Sequence, residues 1–174
     1  MRRRRSSDPE LQRVYREHVS AVFAFFGYSV PRETAEDLTA STFERVIRAW
    51  DDFDPQRGPE RAWVLAIARN LLTDHYRRQS HRNTVSTDEH PVLLDVLSTD
   101  DWIEARLTRA ELHAWLSQLG QREQEVLALR YGGDLRAAEI AELTGLTAAN
   151  VHQIVSRSLR RLREVAEHEV PSNL

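Results

Sequence analysis

The sequence predicts an all-α protein: two small helical domains joined by a flexible acidic linker, the C-terminal one a helix-turn-helix. Three observations predict it. Apolar residues recur three and four positions apart through most of the chain, and no stretch shows the alternation of a strand. One segment, 80–104, breaks that periodicity and is rich in Ser, Thr and Asp. Near the end, the amphipathic run AAEIAELTG leads into TAANVHQIVSRSLRRLR, which is the helix, glycine turn and helix of that motif.

The first helix starts at Ser7-Asp8-Pro9-Glu10. Ser7 can cap, Glu10 lies three residues on, and Pro9 suits the first turn. Leu11, Val14, Tyr15, Val19, Val22, Phe23 and Phe26 carry its apolar side, and Gly27 and Pro31 close it. The MRRRR before it reads as a disordered tail. A second helix runs from about Arg32 to Trp50, with Ala35, Leu38, Thr42, Val46 and Ala49 as its stripe and Phe43, Ile47 and Trp50 beside it. DDFDPQRGPE, 51–60, is a loop by its two prolines and one glycine. Phe53 within it either plugs the core beneath or offers a face for stacking.

A third helix spans Arg61 to Arg78, with Trp63, Ile67 and Leu71 at helical spacing and Val64, Ala68 and Leu72 beside them. Asn70, Thr73 and Arg77 share a face with a mostly basic character, which by itself is an ordinary solvated surface. After the aperiodic 80–104, the pattern resumes from Ile103 through Leu107, Leu112, Trp115, Leu116 and Leu119. QREQEVLALRY forms the next helix, stopped by Gly132-Gly133.

On Thr147–Arg163, Ala148, Val151, Val155, Leu159 and Leu162 fall on one side. Ala149, Asn150, Gln153, Ser156, Arg157 and Arg160 fall on the other. Asn and Gln can pair with adenine and Arg with guanine, while later arginines suit phosphates. A surface helix with solvated arginines is the plainer alternative; the preceding helix and turn favour DNA.

Bulk properties narrow the classes. The 174 residues suffice for one domain or two small ones, and 41% of them are hydrophobic. There is no cysteine, hence no disulfide framework and no thiolate zinc site. The seven histidines show no tight ligand spacing, so no metal and no cofactor are expected. No apolar run reaches the roughly 20 residues of a membrane helix, so no membrane insertion is expected and a cytoplasmic location is the default. The net charge of −3 is uneven: residues 1–79 balance at +2, 80–104 at −5 and 105–174 at zero. A nucleic-acid binder needs basic contact faces, not a basic total.

Three pieces in this order, AEDLTASTFERVIRAW, RAWVLAIARNLLTDHYRR and LGQREQEVLALRYGGDLRAAEIAELTGLTAANVHQIVSRSLRRLR, resemble the sigma-70 superfamily of bacterial RNA polymerase sigma factors, specifically the extracytoplasmic-function group. The resemblance covers nearly the whole chain. It implies a region-2-like domain over 1–79, an acidic linker over 80–104 and a region-4-like helix-turn-helix domain over 105–174. It implies that the second helix binds the β′ clamp of the polymerase through Glu36, Asp37, Leu38 and Phe43. Ala40-Ser41 stand where the family usually has Gln-Glu, a departure within that contact.

The third helix and the loop before it would read and hold open the −10 element. Trp50 and Phe53 would be the aromatics there, and Asn70, Thr73, Arg77 and Arg78 the polar groups. The linker would thread the RNA exit path, where its acidity imitates RNA. The last domain would dock on the β flap and read the −35 element through Thr147, Ala149, Asn150, Gln153 and Arg157. Arg160, Arg161, Arg122 and Arg136 would add phosphate contacts. The implied partners are core RNA polymerase, promoter DNA and, as for many members, an anti-sigma factor.

Two other classes remain to be weighed. A stand-alone helix-turn-helix regulator would need a dimer interface or a receiver domain, and the first 79 residues lack the alternating strands and helices of a receiver. An enzyme would need a site; Asp74, His75 and Tyr76 are consecutive on a helix and so point apart.

Overall fold

The computed structural model describes residues 8–82, 114–116 and 118–169. The basic tail, the Ser7 cap and nearly all of the acidic 80–104 stretch lie outside the described residues. Helix α1 spans Asp8–Gly27, α2 Arg32–Ala49 and α3 Glu60–Arg82, with a 3-10 turn at Trp50–Asp52 between the last two. A helical piece at 114–116 precedes α4, Gln121–Leu127, which runs on into a π-helical turn, Ala128–Gly132. Helices α5, Ala137–Thr144, and α6, Ala148–Glu169, complete the described chain. No strand occurs among the described residues.

The helix ends follow from the sequence. After α1, the Ser29 and Val30 amides both donate to the Phe26 carbonyl, and Pro31 is the N-cap of α2. Pro59 precedes α3, and its carbonyl accepts the first amide bond of that helix from Trp63. With no glycine or proline after that start, α3 continues through Ser80 and His81 to Arg82, into the stretch expected to be linker. Glycine 145 takes the left-handed conformation, φ 70°, that closes α5 and turns the chain into α6.

Helices α1, α2 and α3 pack around Val22, Phe25, Phe26, Ala35, Val46, Val64, Leu65 and Ala68, all nearly free of solvent. Side chains of this kind contribute about 1.5–3 kcal/mol each when fully buried. Polar clamps reinforce the bundle. Glu60 at the start of α3 accepts two bonds from the Arg13 guanidinium, at 2.8 and 3.2 Å, and meets His18 Nε2 at 2.6 Å. Burial opposes ionisation of Glu60, but the bonds from Arg13 and His18 outweigh it and hold its carboxyl below the usual glutamate range. Glu17, His18 and Glu60 lie close enough together to suggest a cation site. The cation there is Arg13, which bridges both carboxylates. Farther along α3, the Tyr76 hydroxyl donates to the Ser29 carbonyl at 2.9 Å.

The second bundle is built from α4, α5 and α6 around Val126, Leu127, Leu129, Leu135, Ile140, Val151 and Leu162. It packs directly on the first, and the buried residues of both form one continuous apolar cluster. The π turn is the part that meets α1. Its geometry arises where the Gly133 amide donates five residues back, to Ala128, and the Leu135 amide closes onto Leu129. The sequence predicted a plain helix through Tyr131; the double glycine instead unwinds its last turn against α1.

Candidate nucleic-acid interface

Helix α6 presents its predicted outer face. Ala149, Asn150, Gln153, Ser156, Arg157, Arg160 and Arg161 are all exposed. The buried edge differs from the sequence expectation. Val151 and Leu162 are buried and Val155 and Leu159 half-buried as expected, but Ala148 is exposed. Ile154 is drawn in and Ser158 is wholly buried, its hydroxyl oxygen lacking a hydrogen-bond partner. The inward stripe is thus rotated toward 151, 154 and 158, which leaves the amide and arginine face whole.

Several groups near this face have structural tasks. Thr147 Oγ1 accepts the Asn150 amide at 3.1 Å and so caps α6. The Arg122 guanidinium donates to the Thr144 carbonyl at 2.6 Å, capping the end of α5, and to Glu125 at 2.7 Å. These bonds fix α4 against α5, and the Arg122 side chain remains 44% exposed. Arg136 begins α5, where its amide donates to Glu139 Oε2 at 2.7 Å and its 81% exposed guanidinium donates to Glu139 Oε1 at 3.0 Å. Glu123 receives the Gly120 amide on one oxygen and Arg157 Nε on the other, at 3.0 and 3.2 Å. One carboxylate therefore ties the start of α4 to the outer face of α6.

The second surface lies on α2, the 3-10 turn and α3. Trp50, Phe53 and Trp63 form an aromatic cluster: Trp50 and Phe53 stack at 5.3 Å, and Trp63 meets them at 5.9 and 5.2 Å. Trp50 is buried at the bottom, so Phe53 both plugs the core and shares an outer aromatic surface with Trp63. Spacing alone places Trp63 in the core stripe of α3. The stripe that α3 buries is Val64, Leu65, Ala68, Leu71 and Leu72, which leaves Trp63 on the side of Asn70, Asp74 and Arg77. The face thus runs from aromatic at its start to basic at its end. Asn70, Arg77 and Arg78 are exposed. Thr73 donates to the Arg69 carbonyl and lines a cleft of about 260 Å³ with Ser29, Arg69, Leu72 and Tyr76.

The suggested enzyme triad has other partners. Asp74 faces Arg45 at 3.9 Å, the Tyr76 hydroxyl is bonded to Ser29, and burial with Arg78 nearby lowers the His75 imidazole's affinity for protons.

On α2, Glu36 and Asp37 are exposed and Leu38 is half-buried, but Phe43 is buried to 6%. The Phe43 ring is covered by Tyr15 of α1, edge-on at 4.8 Å. Leu38 and Phe43 lie about 140° apart around the helix, on opposite flanks. The large apolar side chains exposed near Phe43 are Tyr15, at 49%, and Ile47, at 54%. Ile47 shares the Glu36 and Ala40 side of α2, which the spacing alone had placed beside the core stripe.

Comparison with known proteins agrees with this layout. Residues 14–82 match the family model for sigma-70 region 2, and residues 115–164 match the model for sigma-70 region 4. The chain is 32% identical over 155 residues to the ECF RNA polymerase sigma factor BldN of Streptomyces coelicolor, covering 86% of this chain. It spans 58% of the length of that relative. It is 28% identical to the RNA polymerase sigma factor CnrH of Cupriavidus metallidurans, over 87% of this chain and 83% of that protein. The fold is similar to CnrH solved in complex with the cytosolic domain of CnrY (TM-score 0.67, 22% identity, 95% and 92% of the two chains). It is also similar to RpoE of Bartonella quintana solved with the anti-sigma factor NepR (TM-score 0.71, 21% identity, 93% and 97%).

Proposed function

Because the chain belongs to the sigma-70 family of RNA polymerase sigma factors, in the extracytoplasmic-function group, we propose that it is the promoter-specificity subunit of a bacterial RNA polymerase. The polymerase supplies the catalysis; this chain supplies recognition and acts in the cytoplasm. The observation that carries the proposal is the pairing of two polar, arginine-bearing helix faces, on α3 and α6, behind two matched region models.

Residues 1–79 form the region-2 unit, with its last helix reaching Arg82, and residues 105–174 the region-4 unit. Helix α6 enters the major groove of the −35 element, where Ala149, Asn150, Gln153 and Arg157 meet base edges. Arg160, Arg161 and Arg136 take phosphates. At the −10 element, the outer surface of Phe53 and Trp63 supplies a platform for an unstacked base, and Asn70, Thr73, Arg77 and Arg78 hold the strand beside it. The β′ clamp binds α2 across Glu36, Asp37 and Ile47, with Tyr15 extending the apolar part. Phe43 supports that patch from beneath. The β flap is the docking partner of the second unit. An anti-sigma partner follows by analogy with RpoE, solved with the anti-sigma factor NepR, and with CnrH, solved with the cytosolic domain of CnrY.

Transcription by core polymerase on genomic DNA, with transcript starts sequenced, tests the proposal. With this protein added, starts should cluster downstream of a shared two-part sequence. Starts indistinguishable from those of core polymerase alone would refute it.

A further inference from the structure

We infer that Glu123 is a positioning residue for base recognition at the −35 element: it holds Arg157 by Nε, so that the Nη1 and Nη2 fork meets a guanine rather than a phosphate. The inference rests on the proposal that α6 reads that element. It goes beyond it, since Glu123 lies on α4, away from the reading helix.

Glu123 stands in the first turn of α4, three residues after the N-cap, Gly120. The Gly120 amide donates to Oε2 at 3.0 Å, which fixes the carboxylate against the end of its own helix. The other oxygen accepts Arg157 Nε at 3.2 Å, from a residue 34 positions away. The carboxylate is sheltered, at 15% exposure, while the Arg157 side chain is 68% exposed. The anchor is therefore firm, and the arginine it holds still faces outward. Arg161 is held more loosely, 4.0 Å from Oε2, and can turn to a phosphate.

Which nitrogen is bonded decides what Arg157 can do. A guanidinium carries its N–H donors in a planar fork. With Nε taken, the two terminal nitrogens remain, and their parallel N–H groups match guanine O6 and N7 in the major groove. An arginine already held loses less side-chain freedom on docking than one that swings in solvent. Charge then separates base from phosphate. A phosphate attracts the net charge of an arginine, and here a carboxylate at 3.2 Å offsets that charge. A guanine edge asks for aligned donors more than for net charge. Pairing with Glu123 thus weakens a phosphate contact more than a base contact. An acid on a DNA-facing surface repels the backbone unless it is paired, and Arg157 is the pair of this one.

Runoff transcription by core polymerase with the full-length protein, on promoters that differ at single −35 base pairs, tests the inference. The amide of Glu123→Gln has one acceptor oxygen for two donors, so it cannot serve both Gly120 and Arg157. In that variant, discrimination at one guanine should fall about fivefold or more. Transcription from promoters lacking that guanine should hold or rise. An equal loss on every −35 sequence is what a weakened α4 start alone would give, and it would overturn the inference. Higher transcription from the guanine promoters would overturn it too, since Glu123 would then mask Arg157. The double variant Glu123→Gln/Arg157→Ala should discriminate no less than Arg157→Ala. Further loss there would show that Glu123 acts apart from Arg157. A second measurement needs no promoter. The Arg157 Nε–H resonance, assigned through Arg157→Lys, should exchange slowly with water in wild type and faster in Glu123→Gln; equal exchange overturns the hold. If wild type directs no promoter-specific transcript, it is the sigma-factor proposal that fails, and the resonance still decides whether Glu123 holds Arg157.

Discussion

Helices α3 and α6 both offer polar faces to nucleic acid, but the protein holds them in opposite ways. Helix α3 is packed on two sides: it buries Val64, Leu65, Ala68, Leu71 and Leu72, and its Arg69 is engaged by Glu125 of the other unit. Its binding groups are what remains between those contacts. Helix α6 buries one narrow edge and leaves every proposed base-reading side chain exposed. The contrast separates two tasks. A surface that must capture bases from an opened duplex is built rigidly, into the core, with aromatic support. A surface that inserts into an intact major groove needs only a firm back edge, so its outer residues can change without cost to the fold. Substitutions in the core and polar clamps of the first unit should therefore act through stability and be blind to promoter sequence, while those on the α6 face should do the reverse.

The largest expected effect is at Glu60→Gln, which weakens the clamp between α1 and α3. Losing charge-assisted bonds from Arg13 and His18 should cost about 1.5–3 kcal/mol at neutral pH. Because the Glu60 pKa is lowered in the folded protein, its stabilisation is present above the unfolded pKa and lost as pH falls through the folded one. Urea midpoints of wild type and variant should differ at neutral pH and converge in acid below the ordinary glutamate range. A gap that persists in acid would show that shape, not charge, is what Glu60 contributes.

Arg157→Ala comes next. If Arg157 reads a guanine, promoter use should fall by the equivalent of about 1–3 kcal/mol, and the loss should depend on the −35 sequence. Runoff transcription on a set of −35 variants measures it; a uniform loss makes Arg157 a phosphate contact. The smallest effect is expected at Thr147→Ala, which removes the α6 cap at a cost of about 1 kcal/mol. That loss should appear in thermal unfolding and weaken all −35 sequences alike, although Thr147 sits beside the reading face. A sequence-dependent loss would place its hydroxyl on a base and blur the division between the two helices.

Much of this division was legible in the sequence. Gly27, Pro31, Pro59 and Gly145 all mark helix ends that the structure has, because each acts through its own backbone. The exposed face of α6 was legible because that helix buries only one edge. Spacing failed where an element has two neighbours. Phe43 and Ile47 flank the stripe of α2 alike, yet only Phe43 is covered, by Tyr15, and the place of Trp63 on α3 depends on Trp50 and Phe53. Gly132-Gly133 does end its helix, and the close approach to α1, which calls for the same residue, carries no separate mark in the sequence. The bond from Arg122 to the Thr144 carbonyl was not legible, because that acceptor is 22 residues away and carries no sequence mark.

The carboxylate of Glu123, which holds Arg157 at 3.2 Å and lies 4.0 Å from Arg161, bears on how the protein responds to ionic strength. A cation that meets a DNA phosphate releases condensed counterions, and each such contact steepens the salt dependence of binding by roughly 0.9 in the logarithmic slope. An arginine that leaves Glu123 for DNA exposes an acid that then draws a cation from solution. Release at the phosphate is offset by uptake at the protein. The slope contributed by α6 should thus be shallower than its number of arginines implies, and recognition by this helix correspondingly less sensitive to changes in intracellular salt.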